Sequence, residues 1–398
     1  MGTLRVFLAV LVALAHINMF EPSLSVGLYG AMFAVRVFFL MSGFYMALVL
    51  ETRYKDSILA FYKARALRLY PVYWVTLILT VVFLVVMLGQ LHTFAYWAEL
   101  FKNPRSWWLI PPVLLSNVSF FGIDFMYLFT VNTSQGSLIY YKCASASDLA
   151  LRFFVLVGPA WAMATQATFY LIAPFIMKLR RRNMAILILF SLALFYVPLF
   201  MGLPVLPDSR YLFSANLFLF LFGYLSYLLY KSLRPHLEEF PYSFLAIPFS
   251  ILLTGVYAYY YPSISACKDG MLITWTFLEP VFIVVLGSFI PFMFVATKDI
   301  KWDRAIGELA YPIYVIHIFG LEISTKLLSC TQLSWIDTAT ERIAYHLTII
   351  IAFAVLLLVL VMRPITNWVN RNHNRVRKAK PSDGQVTRIL NTASSDES

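Results

Sequence analysis

The chain has 398 residues, of which 61% are hydrophobic and only 13% are charged. Because a soluble globular domain carries about 25% charged residues, this composition excludes an ordinary soluble enzyme or binding module. A net charge of +11 would suit a nucleic-acid partner if the basic residues formed one patch. They lie scattered between long apolar runs instead, so we predict no nucleic-acid partner.

Ten apolar runs predict ten membrane-spanning helices, since crossing the hydrocarbon takes about 20 mostly apolar residues. We therefore predict an all-α, polytopic integral membrane protein whose surroundings are the lipid bilayer. In chain order the runs are Leu4–Phe20, Leu28–Leu50, Val72–Leu88, Phe154–Met177, Met184–Leu203, Tyr211–Tyr230, Ser243–Tyr261, Met271–Val295, Ile306–Ile323 and Ile343–Val361.

The basic residues fix the orientation of these runs, because cytoplasmic loops collect Lys and Arg. Threading the ten runs from a cytoplasmic start places 22 of the 31 basic residues inside and 8 outside, with Arg36 within a helix. Both termini are then cytoplasmic. Residues 366–398 are polar and predict a disordered cytoplasmic tail, which leaves 1–365 as the transmembrane domain.

The segment Leu91–Leu149 begins and ends outside, so it crosses the membrane an even number of times. Within it, Trp107–Tyr127 is apolar and contains Pro111 and Pro112. Aromatic residues favour the headgroup region, and two adjacent prolines disfavour an uninterrupted helix. We predict a re-entrant or interfacial stretch, and two additional crossing helices are the alternative.

Polar side chains gather near one depth on five predicted helices. His16 lies eleven residues after Arg5, a rise of about 16 Å, or half of the ~30 Å hydrocarbon core. His317 lies about 18 Å from its inner boundary. Ionisable groups inside a membrane are costly and mostly functional, so this layer predicts a buried site. The layer consists of His16, Arg36, Gln166, Glu279 and His317. The alternatives are that each histidine is only a packing residue and that Glu279 only neutralises the charge of Arg36.

Two short motifs lie on the cytoplasmic side of this layer. Arg65 and Arg68 are three residues apart and share a helix face, and two guanidinium forks at the inner surface suit phosphate groups. Ordinary flanking charge is the alternative. The small pair Ser42-Gly43 would let another backbone or a slim ligand approach.

The same motifs, in this order, resemble the acyltransferase-3 family of membrane acyltransferases, which includes bacterial O-acetyltransferases of surface polysaccharides. Three positions depart from its pattern: Gln166 replaces the usual Glu, Arg36 replaces an acidic or small residue, and Ala310 replaces Ser. The resemblance rests on Arg5 with His16, on Phe38-Phe39 through Ser42-Gly43-Phe44, on Arg65, Arg68, Tyr70, Pro71, Tyr73 and Trp74, on Trp161 with Phe169-Tyr170-Leu171 and Pro174, on Gly223, and on Ile306-Gly307-Glu308-Leu309-Ala310-Tyr311-Pro312-Ile313-Tyr314-Val315-Ile316-His317.

The resemblance implies an O-acyltransferase of the bacterial inner membrane. It would move an acyl group, acetyl above all, from cytosolic acetyl-CoA to a hydroxyl of a cell-surface or lipid-linked glycan, without a metal. A separate partner protein outside the membrane would have to supply any second transfer step. A proton-coupled secondary transporter and a non-catalytic glycan-binding relative, which Gln166 would suit, remain alternatives.

The resemblance also implies roles for single residues. His16 would act as general base or as acyl-accepting nucleophile. His317, Gln166 and Tyr311 would position the acceptor or stabilise the oxyanion. The donor would contact Arg5, Ser42, Gly43, Arg65, Arg68 and Tyr70.

Overall fold

In the computed structural model the chain forms a bundle of helices, and a helix corresponds to each of the ten predicted apolar runs. The structure describes residues 1–20, 31–87, 92–132, 134–141, 148–201, 211–265, 271–331, 336, 338–369 and 371. The helices are α1 (Gly2–Phe20), α2 (Ala31–Thr52), α3 (Ile58–Val86), α4 (His92–Lys102), α5 (Ile110–Ser119), α6 (Ile123–Met126), α7 (Ala160–Ile176), α8 (Arg181–Met201), α9 (Phe213–Glu239), α10 (Ala246–Ser265), α11 (Met271–Thr297), α12 (Lys301–Gly307), α13 (Ala310–Thr331) and α14 (Ala339–Leu357).

Six helical stretches are long and apolar enough to cross a membrane, which indicates an integral membrane protein. Three shorter apolar helices accompany them, at Gly2–Asn18, Ala160–Ile176 and Ser243–Tyr259. The total of ten crossings therefore stays a prediction. The six stretches are Ala31–Thr52, Ile58–Val86, Phe213–Glu239, Leu278–Thr297, Lys301–Thr331 and Ala339–Val369.

The segment between α3 and α7 adds one short sheet to a chain that is otherwise mostly helical, as predicted. It contains a small antiparallel sheet in the order β2-β1-β3, formed by β1 (Phe129–Asn132), β2 (Ser137–Tyr140) and β3 (Leu149–Ala150). Gly136 takes the positive φ of 70° in the turn between β1 and β2, where a glycine is free of steric strain. A search for apolar runs of about 20 residues passes over strands of four.

The same segment gives no support to two additional crossing helices. Its described helices have 11 residues or fewer, and α5, which carries both prolines of the Pro111-Pro112 pair, has 10. The 3₁₀ helix Pro104–Leu109 precedes α5. Whether the stretch is re-entrant or interfacial stays a prediction.

Three aromatic side chains of α3 bind the carboxyl end of α5. The Tyr70 hydroxyl donates to the Ser119 carbonyl at 2.8 Å, and the indole of Trp74 donates to the Val118 carbonyl at 3.0 Å. Tyr73 donates in the same way to the Asn117 carbonyl. The last carbonyls of a helix lack partners within it. These three donors therefore satisfy the last carbonyls of α5 and hold its carboxyl end against the middle of α3.

Helix α2 packs most extensively on α9, at a crossing of two glycines. A Cβ added to Gly43 would lie 1.9 Å from the carbonyl oxygen of Phe220. A Cβ added to Gly223 would lie 1.9 Å from that of Leu40. Glycines of this kind let two helix backbones touch, so Gly43 serves the approach of a backbone.

Arg36 and Glu279 form a buried ion pair between α2 and α11. This contact confirms the interpretation of Glu279 as the residue that neutralises Arg36. The Arg36 guanidinium also lies 4.6 Å from the centre of the Phe195 ring. The pair therefore joins helices of the bundle, and neither residue is among those that line the cavity described below.

The chain continues as a helix beyond the predicted boundary at residue 365. A π-helical turn, Leu358–Met362, follows α14, and residues 363–369 are again helical. Arg363 lies 3.6 Å from Glu308, and Lys63 lies 5.8 Å from the ring centre of Trp368. Most of the predicted tail, from residue 372 onward, lies outside the described residues.

Candidate active site

A cavity of about 600 Å³ lies between α1, α2, α3, α7 and α13. Along α2 its lining extends from Val49 to Val35, fourteen residues or a rise of about 21 Å. One end is lined by basic residues, and the other is lined mainly by Val35, Phe38, Phe39, Ala162 and Tyr314. We call these the basic end and the aromatic end of the cavity. The cations that line the cavity are Arg5, Arg53, Arg65, Arg68, Lys298 and Arg304.

Three of these cations lack an acidic partner among the described residues. No carboxylate there forms an ion pair with Arg5, Arg65 or Arg68, and the buried Nε atoms of Arg5 and Arg65 have no hydrogen-bond partner. Aromatic rings lie nearby instead: the Arg5 guanidinium is 5.6 Å from the centre of the Tyr45 ring. Arg68 is exposed, whereas Arg5 and Arg65 are half-buried. Partial removal of a cation from water without a counter-ion is costly, so Arg5 and Arg65 favour an anionic ligand at this end of the cavity.

The two carboxylates that line the cavity have other partners. Asp303 of α12 accepts hydrogen bonds from the backbone N–H groups of Gly2 and Thr3, at 2.7 and 2.8 Å. A carboxylate at a helix amino terminus stabilises the helix, so Asp303 holds the start of α1. Glu308 faces Arg363. The basic end therefore keeps an excess of positive charge.

Gly307 makes room for Arg5. A Cβ at Gly307 would lie 2.7 Å from a terminal nitrogen of Arg5 and 2.6 Å from the Cα of Gly2. Helices α1 and α12 can approach this closely only because residue 307 has no side chain. The glycine of the sequence motif around Tyr311 thus contributes to the placement of the cavity arginine.

Gln166 links two hydroxyl groups in the cavity wall. Its side-chain nitrogen lies 2.8 Å from the Ser42 hydroxyl and 2.5 Å from the Tyr170 hydroxyl. All three residues line the cavity, as does Tyr311, whose hydroxyl donates to the Leu69 carbonyl at 2.6 Å. An amide can hydrogen-bond but does not take up a proton at neutral pH, so Gln166 positions its neighbours.

His16 of α1 and His317 of α13 form a pair inside the bundle. Their ring centres are 4.8 Å apart and their planes are tilted by 56°. Nδ1 of His16 lies 2.9 Å from the Val12 carbonyl, and Nδ1 of His317 lies 2.7 Å from the Tyr314 carbonyl. A carbonyl only accepts, so each neutral ring carries its proton on Nδ1 and a lone pair on Nε2.

The Nε2 atoms are therefore the basic atoms of the pair. Nε2 of His317 is buried without a hydrogen-bond partner among the described residues. A carbonyl bond that fixes the tautomer leaves the opposite nitrogen ready to accept a proton. An unprotonated Nε2 is what a general base requires, and the general-base role of His16 stays a prediction.

Neither histidine is among the described residues that line the cavity. Tyr314 lies between the two features: it lines the aromatic end, and its ring centre is 6.0 Å from that of His317. The sequence predicts one passage from the arginines to the histidine layer. Along α13 the described lining ends at Tyr314 instead, short of His317.

The structure brings together six of the ten predicted site residues at the cavity and places the other four elsewhere. His16 and His317 form the pair beyond Tyr314, whereas Gly43 lies at the α9 crossing and Tyr70 binds α5. Neither Gly43 nor Tyr70 is among the described lining residues. The six that line the cavity are Arg5, Ser42, Arg65, Arg68, Gln166 and Tyr311.

Sequence reasoning missed several residues of the wall. Tyr45 and Tyr170 follow Ser42 and Gln166 by three and four residues, a spacing that puts them on the same helix faces. That spacing was available in the sequence. Asp303 could not be found in this way, because only the fold brings it to the start of α1.

The comparisons with known proteins agree with these motifs. A family model described as an acyltransferase domain, that of the acyltransferase-3 family, matches residues 2–363. No curated protein and no solved structure matches the chain. The matched range contains every described residue that lines the cavity except Ile365, Thr366 and Val369. The chain belongs to the acyltransferase-3 family of membrane acyltransferases.

Proposed function

We propose that the protein transfers an acyl group, acetyl above all, from an acyl-CoA in the cavity to a hydroxyl of a cell-surface or lipid-linked glycan. The observation that carries this proposal is the set of arginines at the basic end, Arg5, Arg65 and Arg68, which have no acidic partner among the described residues. A nucleotide with several phosphates would supply the missing negative charge. Family membership supplies the reaction class.

The shape of the cavity suits such a donor. Its phosphates would occupy the basic end, and its slender thioester arm would extend along Ser42 and Gln166 toward the aromatic end. A guanidinium can bind phosphate through two parallel hydrogen bonds. Binding energy at the head of the donor would then hold the thioester in place for reaction.

The histidine pair supplies the base for transfer. Nε2 of His16 would take the proton of the acceptor hydroxyl as its oxygen attacks the thioester carbonyl carbon. A C–O bond forms, the C–S bond breaks, and the thiolate of CoA leaves and regains a proton. Gln166 and Tyr311 would shape the wall along which the thioester lies, because Gln166 already donates to the Ser42 and Tyr170 hydroxyls and Tyr311 to the Leu69 carbonyl.

The basic end would face the cytoplasm, where acyl-CoA is made, because the Lys- and Arg-rich loops belong there. The protein would then lie in the bacterial inner membrane with both termini inside. The acceptor would reach the histidine pair from the opposite side. A separate protein outside would supply any further transfer of the acylated glycan.

The first experiment tests the base. Membranes containing the wild type or His16→Ala are supplied with labelled acetyl-CoA, and label in the cell-surface glycan is counted. General base catalysis contributes about 10²- to 10⁴-fold, so His16→Ala should lose at least about 100-fold. Full activity of this variant would remove His16 from the mechanism.

The second experiment tests donor binding. A hydrogen bond to a charged group contributes about 1.5–3 kcal/mol, so Arg65→Ala should raise the KM for acetyl-CoA by about 10- to 100-fold. Arg65→Lys keeps the positive charge but loses the two parallel hydrogen bonds of a guanidinium. Its KM for acetyl-CoA should therefore lie between those of the wild type and Arg65→Ala. Arg182→Ala is the control, because Arg182 is exposed and is not among the lining residues.

An unchanged KM in Arg65→Ala would refute the donor site. If the wild type transfers no acyl group from any acyl-CoA to any glycan, the non-catalytic glycan-binding alternative takes its place. That alternative has one observation in its favour, namely Gln166 where the family has an acid.

A further inference from the structure

The aromatic end of the cavity is formed by two rings that contact each other. The ring centres of Phe38 and Tyr314 are 6.0 Å apart, in an edge-to-face arrangement. Both line the cavity, while the ring centre of Tyr314 is also 6.0 Å from that of His317. Tyr314 is therefore in contact with the donor cavity on one side and with the histidine pair on the other.

The Tyr314 ring is held weakly at its far end. Its hydroxyl donates to the Pro159 carbonyl at 3.4 Å, whereas such bonds have a preferred length of about 2.7–2.8 Å. Its own carbonyl accepts from Nδ1 of His317 at 2.7 Å. The backbone of Tyr314 is thus fixed against the histidine, while the hydrogen bond that its buried side chain makes is the long one to the Pro159 carbonyl.

We propose that Tyr314, supported by Phe38, is a gate between the donor cavity and the histidine pair, and that the gate selects short acyl groups. This inference rests on the proposed function. A thioester that arrives from the basic end reaches His16 only if the Tyr314 ring turns aside. The space that the ring then leaves is that of one aromatic side chain, which admits a short acyl group and excludes a long one.

The reaction requires the gate in both of its positions. When the Tyr314 ring turns aside, the acceptor oxygen bonds to the acyl carbon, the acceptor proton moves to Nε2 of His16, and the bond to sulfur breaks. The CoA thiolate leaves with the bonding electrons and takes that proton back from His16. When the ring returns, it separates the base from the cavity and from the water at the basic end. Loss of the ring should therefore relax acyl selectivity and also allow transfer of the acyl group to water.

The test compares acetyl-CoA with hexanoyl-CoA. The kcat/KM of each is measured in membranes for the wild type, Tyr314→Ala, Tyr314→Phe and Phe319→Ala, together with the release of free CoA without glycan. One methylene more or less in an apolar pocket changes selectivity by about 10- to 200-fold. Tyr314→Ala should therefore raise the ratio of hexanoyl to acetyl transfer at least about tenfold, with faster release of CoA.

The controls separate the gate from general damage. Phe319 is also a buried aromatic residue of α13 and packs on Phe83 and Phe353 rather than on the cavity. Phe319→Ala should lower the thermal midpoint as much as Tyr314→Ala and leave the selectivity ratio unchanged. Tyr314→Phe keeps the ring and should keep the ratio.

Two results would overturn the gate. The first is an unchanged ratio in a folded Tyr314→Ala protein, and the second is the same increase in Phe319→Ala. If Tyr314→Ala does not fold, the ratio of hexanoyl to acetyl transfer is measured in Tyr314→Leu and Phe38→Leu instead, since these variants remove less side-chain volume. A wild type inactive with every acyl-CoA would refute the proposed function itself, whereas an active wild type with an unchanged variant ratio refutes only the gate.

Discussion

Gly43→Ala tests whether Gly43 contacts the donor or only allows two helices to touch. The new Cβ would lie 1.9 Å from the carbonyl oxygen of Phe220, whereas ordinary contacts begin at 3.4 Å. The backbones of α2 and α9 would have to separate by about 1.5 Å, because neither atom belongs to a flexible side chain. Overpacking of this kind costs about 1–3 kcal/mol, occasionally more, and would loosen the stacked rings of Phe39 and Phe220, whose centres are 4.8 Å apart.

The assay follows the thermal unfolding midpoint of the purified protein in detergent, and the KM for acetyl-CoA of the fraction that stays folded. We expect a clear loss of stability with little change in KM. Gly255→Ala is the matched control in α10, because the nearest atom to its added Cβ is 3.9 Å away. It should be neutral or slightly stabilising, since alanine is the better helix former by about 1 kcal/mol. A normal midpoint with a raised KM in Gly43→Ala would show that the residue contacts the donor and would refute the packing argument.

Three further substitutions probe neighbouring contacts. Tyr70→Phe removes the hydrogen bond to the Ser119 carbonyl and should cost about 1 kcal/mol of stability. We expect a lower thermal midpoint with an unchanged KM for acetyl-CoA. A raised KM would instead support the predicted contact of Tyr70 with the donor. Asp303→Asn removes a carboxylate from the start of α1 and should lower the free energy of unfolding by up to about 2 kcal/mol. The same melting curve measures this change. An unchanged midpoint would contradict the stabilisation of α1 by Asp303. Gln166→Glu introduces the acid that the family usually has and replaces the amide that donates to the Ser42 hydroxyl by an acceptor to which this hydroxyl can donate. Transfer from labelled acetyl-CoA should therefore persist, and complete loss would contradict the positioning role.

The helices could be predicted because a bilayer imposes one length and one polarity on every crossing element. The small sheet could not be predicted in this way. Its strands have two to four residues and depend on a turn at Gly136. The mostly helical fold follows from the sequence, whereas this short sheet does not.

The cavity was partly predictable for a different reason. Arg65 and Arg68 lie three residues apart on one helix, so their common face follows from helix geometry. Asp303 contacts α1 from a distance of 300 residues along the chain, and no local pattern contains that contact. The contacts of Gly43 with α9 and of Tyr70 with α5 also depend on partner helices. Their part in donor binding stays a prediction that rests on the motifs in which they lie.

The distance between the two imidazoles leads to a last prediction, that His16 and His317 act as one unit. With ring centres 4.8 Å apart in a low-dielectric interior, two positive charges would repel strongly, so the pair can hold one added proton. Acyl transfer needs only one proton on the pair, because one proton is taken from the acceptor hydroxyl and one is returned to the thiolate. Residues that share one proton lose function together, so His16→Ala combined with His317→Ala should be no slower than the more damaging single variant. Transfer from labelled acetyl-CoA measures all three variants, with Tyr314→Phe as a control that keeps both imidazoles. If the fold loss of transfer rate in the double variant equals the product of the two single losses, the histidines act independently. The hypothesis that they share one proton would then be wrong.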